Sequence, residues 1–383
     1  MRRILVLLGI VFASSLLMAR SVVVNCDAGQ SLSQTLSTLD KNTPNTVWVK
    51  GTCTEYVVID GFEGLTITGF KGATLQQPST NPPTPLIILM SIFASRSVTI
   101  SGLTFHSLPS AFSSIGVGYG STNVILQGLT IDGPWGILAY SASQVFVNKA
   151  TITISGGYAA LAAWDKSDVH VENCSFQRAA DSNWYAGITV GSGHVTMQGS
   201  TIRDMQQGIT VGGDGSVDLV YYDTTYAASD VFINNPAGTN FNGVVVSDAA
   251  SLNISSAKLH IIGAGQTFGS DTGAILVRDN STLDAGSGSL VISNSHGQGV
   301  VVTDNSHANL TGSSITGSLH GGLVVVNQST ATIYSSVPLT TISANAVDLF
   351  CDSRSQIAGS MNISGAAVLQ CRNLLSDIYV PLP

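Results

Sequence analysis

The stretch from Trp164 to Asp230 concentrates the side chains that could do chemistry. Only 10% of the residues in this chain are charged. This stretch nevertheless contains imidazole and carboxylate groups, two guanidinium groups and several aromatic rings. His170, Glu172 and Asp218 pair an imidazole with carboxylates, and such groups could act as general acid and general base. The alternative is that all three are ordinary solvated surface residues.

Other side chains of this stretch suit the binding of a sugar polymer. The rings of Trp164, Trp184 and Tyr185 could stack on sugar faces. Arg178 or Arg203 could neutralise a uronate carboxylate through paired hydrogen bonds. We therefore treat Arg203 as a further candidate catalytic residue and the other four as candidate substrate-binding residues.

Short β-strands that recur along the chain must position these groups. Cores with apolar residues at alternate positions begin at Val98, Val124, Val145, Val169, Val195, Val217 and Leu252. A short apolar or Thr-rich strand follows most of these cores, and a strand that often carries glycine precedes them. Three strands and three turns in each repeat of twenty-odd residues predict a solenoid. Because the strands alternate in steps of two, the pattern indicates a β-solenoid rather than leucine-rich repeats.

The alternation also predicts which residues form columns on the outside of the stack. Successive strands lie about 4.8 Å apart, so outward residues of neighbouring coils line up. One predicted column contains Thr99, Ile125, Phe146, His170, Thr196, Asp218, Asn253, Asp284 and Asn309. A second contains Ser101, Gln127, Asn148, Glu172 and Gln198. Amide side chains suit hydroxyl recognition, so Gln127, Asn148 and Gln198 are candidate substrate-binding residues; the alternative is a purely structural ladder.

The N-terminal segment has the layout of a secretory signal peptide, which we assign to residues 1–21. Two arginines precede an apolar run from Ile4 to Met18, and small residues follow. An uncleaved membrane anchor is the alternative. Removal of the three arginines in this segment takes the formal charge from -8 to -11. An acidic chain without a basic stripe is a poor partner for nucleic acid or for an anionic membrane surface.

Five cysteines suit an exported chain. Cys26 and Cys53 lie near the N-terminus, and Cys351 and Cys371 lie in the last coils, so each pair could close one end of the stack. Cys174 occupies an inward position and is predicted to be a buried free thiol. The alternative is that all five are reduced core cysteines. No cysteine or histidine spacing predicts a metal site.

Both ends of the stack need covers, because an open coil would expose apolar core and unpaired strand edges. Residues 31–40 predict an amphipathic helix with Leu32, Leu36 and Leu39 on one face. Ser31 begins a capping box at its N-terminus. We assign residues 22–383 to a single domain, with residues 22–60 as the N-terminal cap and first coil and residues 351–383 as the C-terminal cap.

Several features together resemble the secreted proteins of the pectin lyase-like superfamily. They are the signal peptide, Cys26, the lid helix, the segment Gly51-Thr-Cys53-Thr-Glu55 and the strand-turn-glycine coils. The resemblance implies an all-β fold, a right-handed parallel β-helix of about twelve three-strand coils with a short N-terminal capping helix. The superfamily contains polysaccharide lyases, glycoside hydrolases, esterases and adhesins, so the fold does not choose an activity.

The motifs of the well-marked subfamilies do not match this chain. Polygalacturonase-like enzymes carry adjacent aspartates, which this sequence lacks, and a Gly-His-Gly motif that only Ser295-His296-Gly297 and Leu319-His320-Gly321 loosely echo. Calcium-binding acid clusters of the pectate lyase kind are not evident from the spacing. The resemblance therefore gives a fold and leaves the chemistry to be decided.

Two classes of function remain. The first is an exported β-helix that presents a glycan- or partner-binding surface without catalysis. The second is a polysaccharide lyase or glycoside hydrolase that acts on a cell-wall or extracellular polysaccharide. Neither requires a cofactor, although calcium could bridge the acidic chain to an acidic polymer. We expect a secreted, periplasmic or cell-surface location and a polysaccharide or cell-surface glycan as the partner.

Overall fold

The computed structural model describes residues 20–79, 87–179, 186–220, 230–235, 242–265, 272–286, 289–333, 340–359, 369–371 and 374–375. Three parallel sheets run along the chain, and each coil contributes one strand to each sheet in turn. We call them sheet 1, sheet 2 and sheet 3 in the order in which a coil visits them. The predicted β-solenoid is confirmed.

Sheet 1 contains the alternating cores found in the sequence and has 15 strands among the described residues. They are Arg20–Asn25, Asn45–Lys50, Glu63–Gly69, Arg96–Ser101, Val124–Gln127, Gln144–Asn148, Asp168–Glu172, His194–Gln198, Ser216–Leu219, Ser251–Ile254, Thr282–Ala285, His307–Asn309, Thr330–Ile333, Gln356–Gly359 and Leu374–Leu375. Arg20 and Ser21, which the sequence analysis placed in the signal peptide, pair with Asn45 and Thr46 in this sheet.

Sheet 2 consists of the short strands that follow those cores, 12 of them in the described part of the chain. They are Thr52–Thr54, Thr74–Gln76, Thr104–His106, Thr130–Gly133, Thr151–Ile154, Ser175–Arg178, Thr201–Arg203, Val231–Asn234, Leu259–Ile262, Leu290–Ser293, Ser314–Thr316 and Thr341–Ser343.

Sheet 3 consists of the strands that often carry glycine, and 13 are described. They are Val57–Asp60, Ile88–Phe93, Ser113–Gly118, Ile137–Ala139, Ala159–Trp164, Ala186–Gly191, Gln207–Gly212, Asn242–Val246, Gly273–Val277, Gln298–Val302, Gly321–Val325, Val347–Cys351 and Leu369–Gln370. Gly208 shows why glycine recurs here. A Cβ at this position would lie 2.6 Å from the carbonyl oxygen of Gly243 and 2.8 Å from the Ile233 side chain, so a larger residue would force the corner open.

The inward side chains of the three sheets form one continuous core. Val169 and Val171 of sheet 1, Phe176 of sheet 2 and Ile188 of sheet 3 are all fully buried, and their counterparts in neighbouring coils stack on them. Each coil thus buries its apolar residues on the next, which is why a solenoid can lengthen without dividing its core.

Serine residues hold the corner between sheet 3 and sheet 1. At this corner Asp and Asn residues adopt left-handed backbone conformations, as at Asp279 (φ 57°) and Asn280 (φ 61°), and a buried serine follows. The Ser281 N–H donates to Ser306 Oγ at 3.1 Å, and the Ser306 N–H donates to Ser329 Oγ at 3.2 Å. The turn residues found in the sequence therefore mark real corners, and their serines link one coil to the next.

A helix at Leu32–Ser37 covers the N-terminal end of the core, with Leu32 and Leu36 buried. Ser31 Oγ accepts a hydrogen bond from the Gln34 N–H at 3.0 Å, so the predicted cap is present. A further acceptor comes from Glu55, whose carboxylate accepts the Leu32 and Ser33 N–H groups at 2.7 and 3.0 Å. A carboxylate at this place also interacts favourably with the helix dipole.

Two disulfides secure the ends of the stack. Cys26 is bonded to Cys53 and Cys351 to Cys371, with Cα–Cα distances of 5.0 and 4.5 Å. Cys174 is a buried free thiol, and burial raises its pKa to about 11. These observations confirm the predicted use of all five cysteines.

The helix cap gives a first testable prediction. Replacing Glu55 with alanine should lower the free energy of unfolding by about 2 kcal/mol, since two helix N–H groups lose a charged acceptor. Urea denaturation followed by circular dichroism measures this loss. Glu63→Ala is the matched control, because Glu63 is exposed on sheet 1. Equal, small effects of the two substitutions would contradict the capping role.

Candidate functional site

The outer face of sheet 1 carries the two columns predicted from the sequence. Phe146 pairs in register with His170, His170 with Thr196, and Thr196 with Asp218. In the second column, Gln127 pairs with Asn148, Asn148 with Glu172, and Glu172 with Gln198. The register confirms the order of residues in both columns.

The predicted site residues do not meet at one point. His170, Glu172, Asp218 and the amide column lie on sheet 1, whereas Arg178 and Arg203 end strands of sheet 2 and Trp164 ends a strand of sheet 3. His170 and Asp218 are two strands apart, or roughly 9.6 Å along the stack. Trp184 and Tyr185 lie outside the described residues. The structure therefore divides the candidates among three sheets, and Arg178 pairs in register with the buried Ile154.

His170 is part of a stacked pair on sheet 1. Its ring lies 4.8 Å from that of Phe146, centroid to centroid, at an interplanar angle of 6°, and its Nδ1 lies 2.7 Å from Thr196 Oγ1. Burial lowers the pKa of His170, although Glu172 and Asp168 act in the opposite direction. A neutral imidazole at neutral pH could accept a proton.

His194 joins two aspartates across three neighbouring strands. Its Nδ1 lies 2.9 Å from Asp168 Oδ1 and its Nε2 lies 3.1 Å from Asp218 Oδ2, so a protonated ring donates to both. Burial lowers the pKa of His194, but the hydrogen bonds and charges of Asp168 and Asp218 outweigh it and raise the pKa overall. Asp218 thus contacts His194 rather than His170.

This cluster lies outside the two columns predicted from the sequence. Those columns contain only outward residues that follow the first inward residue of each core. His194 and Asp168 precede that valine by one residue and pair in register with each other. Extending the same alternation by one position towards the N-terminus would have found them.

The cluster predicts a pH-dependent contribution to stability. Because the pKa of His194 is raised from 6.5, its contribution is complete below pH 6.5 and is lost as the pH rises through the folded-state pKa. We expect the difference in unfolding free energy between wild type and His194→Gln to shrink from pH 5.5 to pH 9. Denaturant titrations across this range measure it. A constant or growing difference would contradict the ion-paired state.

A shallow depression lies beside these residues on sheet 1. It has a volume of about 270 Å³ and is lined by Asn123, Val124, Gln144, Val145, Phe146, Asp168 and His170. Asp168 and Gln144 are exposed, and Phe146 is half-buried. The depression therefore combines amides, a carboxylate and two stacked rings.

The outer side of sheet 3 carries a second feature, which we call the aromatic patch. It consists of Phe93, Phe112, Tyr119, Trp135, Tyr140, Tyr158 and Trp164. Its rings form two contacting groups. Trp135 is the centre of one, with ring centroids 4.8 Å from Phe112, 5.4 Å from Tyr158 and 6.0 Å from Trp164. Phe93, Tyr119 and Tyr140 contact one another in the second. Tyr140 and Trp164 pack beside buried Leu138 on the outer face of the sheet.

A glycine in the neighbouring coil leaves space for the Trp135 ring. A Cβ at Gly157 would overlap the Trp135 ring, and Gly157 has a φ of 100°, a conformation that favours glycine. Phe112, Trp135 and Tyr158 recur at intervals of 23 residues, which is one coil. This periodic aromatic signal was available in the sequence but was not used.

The two surfaces differ in charge. The described strands of sheet 3 from Ile88–Phe93 to Gly321–Val325 contain no Asp, Glu, Lys, Arg or His. The neighbouring strands of sheet 1 carry Asp168, His170, Glu172, His194 and Asp218. The uncharged aromatic surface and the polar depression therefore differ in chemistry and lie on different sheets, on either side of the corner between Trp164 and Asp168.

Potential metal ligands converge at one place in the described part of the chain, formed by Cys26, Cys53 and Glu55. The two thiols form a disulfide and the carboxylate caps the helix. All three residues therefore have structural roles. Among the described residues, no helix has the length and apolarity of a membrane span.

Comparison with known proteins agrees with this architecture. Residues 89–223 match the model of a family described as right handed beta helix region. This chain is a right-handed parallel β-helix. No curated protein sequence matches it.

Two solved structures illustrate how far the likeness of this β-helix extends. The first is the catalytic domain of a GH87 alpha-1,3-glucanase in complex with tetrasaccharides, which is 13% identical with a TM-score of 0.58. The match covers 92% of this chain and 67% of the glucanase domain. The second is PfbA, a surface adhesin of Streptococcus pneumoniae, at 10% identity and a TM-score of 0.39, covering 88% of this chain and 93% of the adhesin. At such identities the glucanase shows the fold of this β-helix alone.

Proposed function

We propose that this β-helix is an exported protein that binds a neutral glycan on the aromatic patch. The observation that carries the proposal is the cluster of seven rings on one outer face whose strands lack charged residues. Tyr119 and Tyr158 are 64% and 51% exposed. Exposed apolar groups gathered on one face are typical of a binding surface rather than of scattered surface residues.

The chemistry of the patch favours sugars. The face of an aromatic ring carries a negative electrostatic potential and attracts the C–H groups of a pyranose ring. Tyrosine hydroxyls and the tryptophan N–H add hydrogen-bonding groups at the rim. An uncharged surface on an acidic chain has nothing to offer a uronate carboxylate, so we propose a neutral rather than an acidic polysaccharide.

Export is part of the same proposal, with the segment at residues 1–21 as a signal peptide. Two disulfides suit an oxidising compartment. Because Arg20 and Ser21 belong to the first strand of sheet 1, cleavage after Ser21 would shorten that strand by two residues, whereas cleavage before Arg20 would preserve it. N-terminal sequencing of the exported protein tests this point.

A binding panel tests the function. The mature protein is titrated with an α-1,3-glucan tetrasaccharide, with other neutral glucan and xylan oligosaccharides, and with oligogalacturonate, each with and without calcium. We expect binding to at least one neutral oligosaccharide and none to oligogalacturonate. Binding of oligogalacturonate alone, or of no sugar in the panel, would overturn the proposal.

A polysaccharide hydrolase or lyase is the second candidate, and one observation favours it. Asp168 and His170 line the same depression, and burial lowers the pKa of His170, so that its ring is neutral at neutral pH and can accept a proton. Assays for new reducing ends and for unsaturated products on the same panel distinguish the candidates. Product formation that is lost in His170→Ala would favour the enzyme.

A further inference from the structure

We infer that the depression on sheet 1 is a second sugar-binding site, so that the protein binds two glycan chains and cross-links a polysaccharide. The inference rests on the proposed function for its ligand class. It concerns a different sheet and different residues.

One side of the depression is apolar and the other is polar. Phe146 and His170 supply stacked rings, while Asn123, Gln144 and Asp168 supply amide and carboxylate groups. A pyranose ring likewise presents C–H groups on its faces and hydroxyl groups around its edge. Rings beside hydrogen-bonding side chains therefore match both kinds of group on one sugar unit.

The polar groups are held in place by neighbouring coils. Asp168 Oδ1 is hydrogen-bonded to His194 at 2.9 Å, and its Oδ2 has no partner among the described residues. The Asn123 amide donates to Ser97 Oγ at 3.0 Å, which leaves its carbonyl oxygen as an acceptor. Side chains positioned in this way lose less conformational freedom when a ligand binds.

Size and charge set the ligand class. A volume of about 270 Å³ lies just below the roughly 300 to 1,000 Å³ of pockets for drug-sized ligands. It therefore suits one sugar unit rather than a long segment of polymer. A carboxylate in the lining disfavours uronates, and the ligand is a neutral pyranose whose hydroxyl groups donate to Asp168.

Two sites on different outer faces have a consequence that one site lacks. A single glycan chain that occupies the aromatic patch leaves the depression of sheet 1 open to a second chain. The protein would then link chains, and its apparent affinity for an immobilised polymer would exceed that for a short oligosaccharide.

Stoichiometry tests the inference. The wild-type protein is titrated calorimetrically with the neutral oligosaccharide that binds in the panel described above. We expect two binding sites per protein. The double variant Gln144→Ala/Asp168→Asn should keep only the patch, and Trp164→Ala should keep only the depression. Both variants should bind one equivalent of the oligosaccharide. Neither should cross-link and sediment the soluble polysaccharide that is built from the same sugar units. Asp284→Asn, which removes an exposed carboxylate elsewhere on sheet 1, is the control and should behave like wild type.

The outcomes separate this inference from the proposed function. One site in wild type that Trp164→Ala removes, and that the double variant leaves intact, would overturn the second site while the patch stands. One site that only the double variant removes would keep the depression and overturn the patch. Absence of binding in wild type would overturn both. Thermal unfolding midpoints within a few degrees of wild type show that each variant is folded.

Discussion

Replacing Trp135 with alanine is expected to weaken glycan binding at the aromatic patch by about thirtyfold, or about 2 kcal/mol, the size of a typical hot-spot truncation. Trp135 contacts three other rings of the aromatic patch, with Phe112 and Tyr158 stacked against it and Trp164 meeting it at 86°. Its removal takes away contact area and releases its neighbours. Calorimetric titration with the neutral oligosaccharide measures the loss.

Trp48→Ala is the matched control for this substitution. Trp48 also projects outward and half-buried, but it packs on Phe70 beside sheet 1 and not in the patch. It should leave affinity unchanged. A folded Trp135→Ala variant with wild-type affinity, or an equal loss in both variants, would show that the patch is not the binding surface.

Replacing Phe176 with alanine is expected to lower the free energy of unfolding by about 3 to 5 kcal/mol, the range for emptying a large aromatic site in a core. Phe176 is fully buried and lies in sheet 2 between Ile152 and Ile202 of the adjacent coils. Because stacked coils contact only their neighbours, the cavity cannot be filled from elsewhere in the chain. Guanidinium denaturation provides the measurement.

Phe232→Ala is the comparison on the same sheet. Phe232 points outward, is 39% exposed and stacks on His260. Its loss should cost about 1 kcal/mol, since much of the ring already contacts water. A similar cost for both phenylalanines would contradict the assignment of inward and outward positions in sheet 2.

The predictions from sequence were most accurate where the determinant is local. The alternation of Val169, His170, Val171 and Glu172 fixed which side chains point inward, because successive residues of a strand face opposite sides of a sheet. The lid helix and its Ser31 cap followed from a 3.6-residue pattern and a nearby side chain. Glu55 was beyond such reasoning, because it reaches the helix from 23 residues away.

The candidate site was predicted less completely. The turns between the three sheets decide which of its residues share an outer face, and the sequence pattern does not give the geometry of these turns. Trp164 and Arg203 lie within 35 residues of His170 in sequence, but each belongs to a different sheet. The chain changes direction at every corner, so closeness in sequence does not imply a shared outer face. The described residues between Trp164 and Asp230 are therefore spread over all three sheets rather than gathered in a single site.

By itself, the sequence determined the coil repeat, the inward core, the columns of sheet 1, the lid and the positions of the cysteines. Each follows from short-range alternation or from the repeat length, because residues one repeat apart become neighbours when the coils stack. Only the tertiary structure decided that His194 bridges Asp168 and Asp218 and that Phe112, Tyr158 and Trp164 gather around Trp135. Those contacts depend on the angles of the corners and on the rotamers that neighbouring coils permit, and residues more than 20 positions apart in the sequence set both.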